Sequence, residues 1–401
     1  LEVEIGRGKK ARRAYGFDDI AIVPSRRTRD PDDIDITWNL GPYRFELPLL
    51  ASAMDGVVSP NTAALVNQLG GLGVLNLEGI WSRYEDADEQ LERIAKAPPE
   101  IATKLMQEVY SEPVKPELIR QRIEEIKAQG AVACGSLTPQ KVNEHHELAL
   151  DAGLDILVVQ GTVISAEHVS SSADPLNLKE FIAELPIPCI VGGCASYSTG
   201  LHLMRTGAVG VLVGVGPGSA CTTRGVLGIG VPQATAIADV AAARSQHMLE
   251  TGQYCNVIGD GGMRTGGDVS KAIACGADAV MIGSPMARAK EAPGRGYHWG
   301  MATFHPSLPR GTRVATRQDG TLEQILLGPA NENDGTFNLM GALRTSMATC
   351  GYEDIPSFHR AEVMVAPALQ TEGKALQKQQ AVGMGSNGRS AVANGVGVAD
   401  D

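Results

Sequence analysis

At 401 residues the chain is too long for a small domain and fits one large α/β barrel or two ordinary domains. A formal net charge of -11 argues against nucleic acid or an anionic membrane as partner, since both need a basic face. No apolar run approaches the roughly 18–20 residues that span a bilayer. The seven cysteines are scattered and none forms a CxxC pair, and residues 1–13 are charged rather than apolar. A reduced, cytoplasmic protein without signal peptide, disulfide framework or zinc site is the expectation.

In chain order, strand-like apolar runs fall at residues 48–52, 71–76, 132–137, 156–161, 187–193, 210–216, 256–262 and 279–284, and most end in glycine or small polar residues. Helix-like stretches lie between most of them, at 61–69, 116–129, 139–152, 176–185, 198–206, 231–251 and 268–275. Continuous apolar strands alternating with helices describe a parallel sheet covered on its outer face. Eight such units describe a closed (β/α)8 TIM barrel, an α/β fold whose active site sits where strands end. Residues 77–130 exceed what one crossover helix needs, yet are too few for a regulatory domain. Residues 286–356, rich in Gly, Pro, Arg, His and Asn, read as an active-site flap after the last strand. The expected organisation is one catalytic barrel over 1–370, flap included, and a tail over 371–401 that is either a weakly ordered terminus or a subunit-contacting arm.

The most informative run is Gly214-Val215-Gly216-Pro217-Gly218-Ser219-Ala220-Cys221-Thr222-Thr223-Arg224, at the exit of the sixth strand. Its glycines let the backbone turn sharply and approach a ligand. Ser219 can bind a phosphate and Cys221 can act as a nucleophile, while Thr222, Thr223 and Arg224 can move protons or stabilise charge. Asp260-Gly261-Gly262 ends the seventh strand. Its carboxylate can accept both hydroxyls of a ribose and its glycine amides can approach a phosphate, or Asp260 can cap the next helix. Gly283-Ser284 at the eighth exit forms a second amide-plus-hydroxyl cradle. Ser52 and Met54, after the first strand, either line a base or phosphate or simply pack the barrel. His145-His146 and the acidic run at 85–89 read as solvated surface.

These residues bring the chain to a known family: it resembles the IMP dehydrogenase/GMP reductase family, in particular its short, CBS-free branch of actinobacteria and cyanobacteria. The resemblance covers nearly the whole barrel. It rests on residues 15–20 and 23–25, 47–55 with 70–73, 214–224, 228–233, 260–262 with 267–268, and 276–284. By that resemblance, Cys221 attacks C2 of a purine nucleoside monophosphate to form a thioimidate. Ser219, Gly262, Gly283 and Ser284 hold its phosphate, Asp260 holds its ribose, and Gly300 with Met301 lies along the base. The carbonyls of Gly216, Gly218 and Cys221 resemble a monovalent-cation site, usually filled by potassium. The family uses NADPH or NAD and forms tetramers or octamers.

The departures bear on the direction of the reaction. Gln160-Gly161 stands where the family has a carboxylate near the nicotinamide riboside, and Gly192-Gly193 replaces a Gly-Asn; Gln160, Gly161 and Gly193 are the expected cofactor-side residues. Tyr297-His298-Trp299 takes the place of a phosphate-contacting tyrosine. No Arg-Tyr pair follows Met301 to activate water. A GMP reductase, with Thr223 and Glu323 helping ammonia leave, is therefore the first expectation. An IMP dehydrogenase using Arg310, Arg313, His298 or His305 as base is the second. A nucleotide-binding protein without turnover is the third.

Overall fold

The computed structural model describes residues 2–165, 176–300, 312–368 and 371–384. Eight parallel strands close into a barrel in sequence order. They are β1 (Leu49–Ala51), β2 (Leu72–Asn76), β3 (Cys134–Leu137), β4 (Ile156–Gln160), β5 (Cys189–Cys194), β6 (Gly210–Val213), β7 (Asn256–Asp260) and β8 (Ala279–Ile282). The ring shuts where Val280 of β8 pairs with Leu49 of β1. Every strand-like run in the sequence is one of these eight, with its ends shifted by up to three residues.

Two apolar layers result from the alternation of side chains along each strand. Leu50, Leu72, Val74, Ile156, Val158, Ile190, Leu212, Ile258 and Met281 fill the barrel interior. Their neighbours Leu49, Leu75, Leu157, Val159, Val191, Val211, Val257 and Val280 face the surrounding helices. The lower mouth is plugged by a short hairpin, Trp38–Leu40 with Tyr43–Phe45. The rings of Trp38 and Phe45 stack at 5.5 Å, and Trp38 Nε1 donates to the Leu47 carbonyl at 2.8 Å. With the bottom sealed, ligand access is left to the top, at the strand C-termini.

The outer helices of the strand–helix units are α1 (Pro60–Gln68), α4 (Pro116–Ala128), α5 (Val142–Asp151), α6 (Leu178–Glu184), α7 (Tyr197–Met204), α9 (Gln233–Thr251) and α10 (Gly266–Ala274). The extra length between β2 and β3 is folded into α2 (Ala87–Lys96) and α3 (Pro99–Val109) ahead of α4. A short α8 (Thr223–Leu227) follows the cysteine loop.

The segment after β8, expected as a flap over residues 286–356, is partly built of regular elements. It contains α11 (Ser284–Ala287), a two-residue antiparallel pairing of Tyr297–His298 with Val314–Ala315, α12 (Leu322–Leu326) and α13 (Leu339–Thr349). Leu339, Met340, Leu343 and Met347 of α13 are buried, and α13 packs on α10. It therefore supplies the eighth outer helix, because the apolar outer face of β8 must be covered by something. Only the part between the paired strands, residues 301–311, lies outside the described residues. Among the described residues no helix is long and apolar enough to cross a membrane. Nor does any group of three His, Cys, Asp or Glu among them gather as a metal site.

Candidate active site

A cavity of about 570 Å³ opens at the strand C-termini, within the range typical of small-molecule sites. It is lined by Ser52 and Met54 after β1, Gln160 and Gly161 at β4, and Gly216, Gly218, Ser219, Cys221 and Thr223 after β6. Asp260 and Gly262 at β7, Gly283 and Ser284 at β8, and Gly300 complete the expected set. Two expected residues are not on its wall, and a third falls outside what the structure describes. Met301 lies outside the described residues. Gly193 is buried in β5, its N–H donating to the Gly161 carbonyl at 3.0 Å, so it shapes the β4 exit without facing the cavity. Glu323 is exposed on α12 and does not line the cavity.

The cysteine loop is held by backbone contacts that a larger side chain would prevent. A Cβ on Gly214 would stand 2.2 Å from the Asp260 carbonyl oxygen, so the β6 and β7 exits can touch only with glycine there. Gln233 clamps the same two exits by donating to the Val213 and Asp260 carbonyls, at 2.6 and 3.1 Å. Cys221 N–H then closes a tight turn onto the Gly218 carbonyl at 3.0 Å. The Cys221 thiol donates to Thr223 Oγ1 at 3.2 Å, and Thr223 itself is fully buried. Cys221 is partly exposed on the cavity, where a thiolate can meet a substrate. Burial pushes the thiols of Cys189 and Cys194 up to about 12 and that of Cys275 up to about 11, and it raises those of Cys134 and Cys255 as well. Those five are inert packing.

Ser219, Ser284 and His298 converge beside the cysteine. Ser219 Oγ and Ser284 Oγ are 2.6 Å apart, and His298 Nε2 lies 3.2 Å from the first and 2.8 Å from the second. His298 is 1% exposed, and burial pushes its imidazole down to about 4, so it is neutral at ordinary pH. Two hydroxyls and one imidazole N–H, with the nearby amides of Gly262 and Gly283, make a donor-rich cradle for an oxyanion. His298 comes from the short pairing after β8. Sequence reasoning named it as a possible base for water and set its run, Tyr297-His298-Trp299, in the place of a phosphate-contacting tyrosine, without making His298 itself a phosphate ligand.

Asp260 ends β7 with its carboxyl deep against the barrel interior and a partly exposed edge on the cavity. Burial pushes it up to about 7, opposed by a single amide donor, Gln160 Nε2, at 3.3 Å. Gln160 Oε1 is buried and has no partner among the described residues. The pair thus offers acceptors without donors, which is what vicinal hydroxyls require.

Beneath the cavity mouth, a second carboxyl sets the approach of the chain to Gly300. Tyr110, just beyond α3, donates to buried Asp55, which also accepts from Ile80 N–H at 3.0 Å. Trp299 Nε1 donates to the Tyr110 hydroxyl at 2.7 Å. Burial pushes Asp55 up to about 6 against the lowering effect of Tyr110 and Ile80. The extra helices between β2 and β3 therefore anchor the start of the flap. Arg313 at its far end is likewise engaged away from the cavity: it donates to the Ile94 carbonyl and stacks over Tyr297, 4.2 Å from the ring centroid. Arg310 and His305 lie outside the described residues.

The three residues of the expected monovalent-cation site, Gly216, Gly218 and Cys221, all lie on the cavity wall. The Gly218 carbonyl is already turned into the loop to accept from Cys221 N–H. The Arg224 guanidinium also occupies the neighbourhood, donating to the Val215 and Val231 carbonyls at 3.3 and 2.7 Å.

Barrel, cysteine loop and donor-rich cradle describe a (β/α)8 protein whose top face sets two serines and a histidine beside a partly exposed thiol. The chain belongs to the IMP dehydrogenase/GMP reductase family: the family model "IMP dehydrogenase / GMP reductase domain" matches residues 14–375. It is an oxidoreductase of that family. An uncharacterized oxidoreductase of Mycolicibacterium smegmatis is 47% identical over 372 residues, covering 90% of this chain and 99% of the relative. A crystal structure of an IMP dehydrogenase/GMP reductase-like protein from Corynebacterium glutamicum superposes with a TM-score of 0.87 at 45% identity, covering 91% of this chain and 98% of that one. The inosine-5'-monophosphate dehydrogenase of Borreliella burgdorferi is 31% identical over 310 residues, covering 71% of this chain and 72% of the relative.

Proposed function

We propose that this chain is an IMP dehydrogenase, converting IMP, NAD and water to XMP and NADH through a covalent bond between Cys221 and purine C2. The observation that carries the reading is the convergence of three strand exits on one cavity: Cys221 and Ser219 after β6, Asp260 at β7, and Ser284 at β8 with His298 against it. The cradle takes the 5'-phosphate, Asp260 accepts from the ribose hydroxyls, and the base then lies over the thiol. A nicotinamide dinucleotide, when bound, supplies the acceptor for the hydride that leaves C2. The cavity wall continuing past Gln160 and Gly161 to Thr138 and Val163, with the open Gln160 Oε1, fits such a group.

The chain's own groups perform the remaining steps. The hydrogen bond to Thr223 Oγ1 orients the thiol; as the sulfur adds to C2 its proton passes to N3 of the purine, and it is released to solvent once the hydride has left. Loss of hydride from C2 leaves a thioimidate. Water then adds at C2 and the carbon–sulfur bond breaks, releasing XMP and returning the thiol. His298, neutral and engaged with both serines, serves the phosphate rather than this water.

Two observations favour this direction over ammonia release. Asp260 is the one carboxyl among the described residues lining the cavity, and Glu323 sits apart from it on α12. A relative with a stated activity, that of Borreliella burgdorferi, is an IMP dehydrogenase. The GMP reductase reading keeps one observation in its favour, the lack of an Arg-Tyr pair after Met301. Incubation of the pure protein with IMP and NAD, and separately with GMP and NADPH, followed by chromatographic product analysis, decides between them. XMP from the first mixture is expected; IMP from the second with none from the first would reverse the assignment.

A further inference from the structure

Tyr110 stands just beyond α3, and the chain is fixed on both sides of it. The Tyr84 hydroxyl donates to the Val109 carbonyl at 2.9 Å. Arg83, whose guanidinium lies 5.8 Å from the Tyr110 ring centroid, donates to the Glu112 carbonyl. The Tyr110 hydroxyl accepts from Trp299 Nε1 at 2.7 Å and donates to buried Asp55. A Cβ on Gly79 would run into the Asp55 carboxyl, so the carboxyl is closely fitted where it also accepts from Ile80 N–H. The next residue, Gly56, packs on the strip that carries His298. A Cβ there would lie 2.9 Å from the Tyr297 carbonyl oxygen, 3.2 Å from His298 Cα and 3.3 Å from the Trp299 ring. The contacts close a ring: Asp55 and Gly56, the 297–299 strip, the Trp299 indole, the Tyr110 hydroxyl, and back to Asp55.

The ring bears on the cavity through His298. Its Nε2 meets Ser219 and Ser284, but Nδ1 is buried without a partner among the described residues, so no contact at that end steers the imidazole. The antiparallel pairing that carries it is two residues long, too short to hold a strip by itself. A donor shared between two hydroxyls serves a ligand only while its own side chain is held in place. Trp299, the residue after His298, is 1% exposed, and its indole N–H can only donate. The Tyr110 hydroxyl both satisfies that donor and passes the contact to Asp55. We propose that Tyr110 is a positioning residue of the nucleotide site: through Trp299 it holds His298 against Ser219 and Ser284. The extra helices between β2 and β3 then set the grip on the phosphate. That phosphate consequence rests on the IMP dehydrogenase reading of the cradle; the placement of His298 does not.

The test begins without ligand. Carbethoxylation of His298 by diethyl pyrocarbonate, followed by peptide mass spectrometry, is expected to be at least about threefold faster in Tyr110→Phe than in wild type, because the strip is no longer pinned. Trp299→Phe removes the same hydrogen bond from its other end; it is expected to behave alike and covers the case in which one variant fails to fold. Calorimetry then compares IMP with inosine. Tyr110→Phe is expected to weaken IMP binding by about three- to fivefold and to leave inosine within about twofold. On the His298→Ala protein the same substitution is expected to add no further loss. Unchanged labelling of His298 in both variants overturns the proposal. So does an affinity loss shared equally by IMP and inosine, one that persists in full on the His298→Ala protein, or IMP binding kept by Tyr110→Phe but lost by His298→Ala. Faster labelling with IMP binding unmoved in all three proteins upholds the placement of His298 and counts against the phosphate reading instead.

Discussion

Asp278 and Asp260 stand at opposite ends of neighbouring strands, and both are carboxyls carried into the barrel wall. Asp278, just before β8, accepts from Arg244 Nη1 at 2.6 Å, Tyr254 hydroxyl at 2.5 Å and Val257 N–H at 2.7 Å. Arg244 in turn donates to the Gly276 carbonyl at 3.0 Å, and the Arg244–Asp278 pair is buried. Asp260, at the end of β7, has one amide donor at 3.3 Å. The difference is one of completion. A buried carboxylate with a full set of donors ties the barrel floor together; one left short of donors is costly until a ligand brings hydroxyls to it. The floor therefore carries stability and the top carries binding.

Mutation of the two carboxyls should separate those roles. Asp278→Ala leaves Arg244 buried without its partner and is expected to destabilise the fold by about 3–5 kcal/mol in denaturant titration. The nucleotide affinity of the protein that remains folded should be unchanged. Asp260→Ala should do the reverse, weakening nucleotide binding by about 10–100-fold in calorimetry while leaving the unfolding midpoint no lower than in wild type. A large stability loss in Asp260→Ala would dissolve the contrast between the two ends.

Smaller effects sharpen the picture of the top face. His298→Ala is expected to weaken nucleotide binding by about tenfold, by loss of one phosphate donor, while leaving the affinity for the parent nucleoside unchanged. An equal loss for nucleoside and nucleotide would mean that His298 acts only through packing. The smallest effect is in pH. The Asp260 carboxyl is raised to about 7, so the folded protein holds its proton longer than the unfolded chain. Its contribution to stability is therefore complete below the ordinary carboxylate value and is lost as pH rises through about 7. Ribose binding needs the carboxylate and runs the other way. Nucleotide affinity should rise severalfold between about pH 6 and about pH 8, and the part due to Asp260 should vanish in Asp260→Asn.

The same division explains what could be read from the chain alone. All eight strands were legible because a parallel strand buried on both faces is an unbroken apolar run, and glycine or a small polar residue marks most of the exits. Cys221, Ser219, Asp260 and Ser284 were legible for the same reason, each lying within a few residues of such an exit. The eighth outer helix was hidden because Leu339–Thr349 is set among Gly, Pro and Asn and is recognisable only by the apolar face it buries. Gly193 and Glu323 show the limit for side chains. A glycine at a strand end reads alike whether it faces a cavity or a neighbouring backbone, and the face that Glu323 presents depends on where α12 packs. The contacts of His298, Tyr110 and Arg224 depend on tertiary placement of segments far apart or folded back, which no local pattern records.

The central claim is that Cys221 bonds to the purine during turnover. Acid quenching of the protein in the steady state with IMP and NAD, then mass spectrometry of the Cys221 peptide, tests it directly. The account predicts a purine-nucleotide adduct on that peptide, lost when NAD is omitted and absent from the Cys221→Ala protein, which makes no XMP. XMP formation by Cys221→Ala, or an adduct carried by another cysteine, would contradict it.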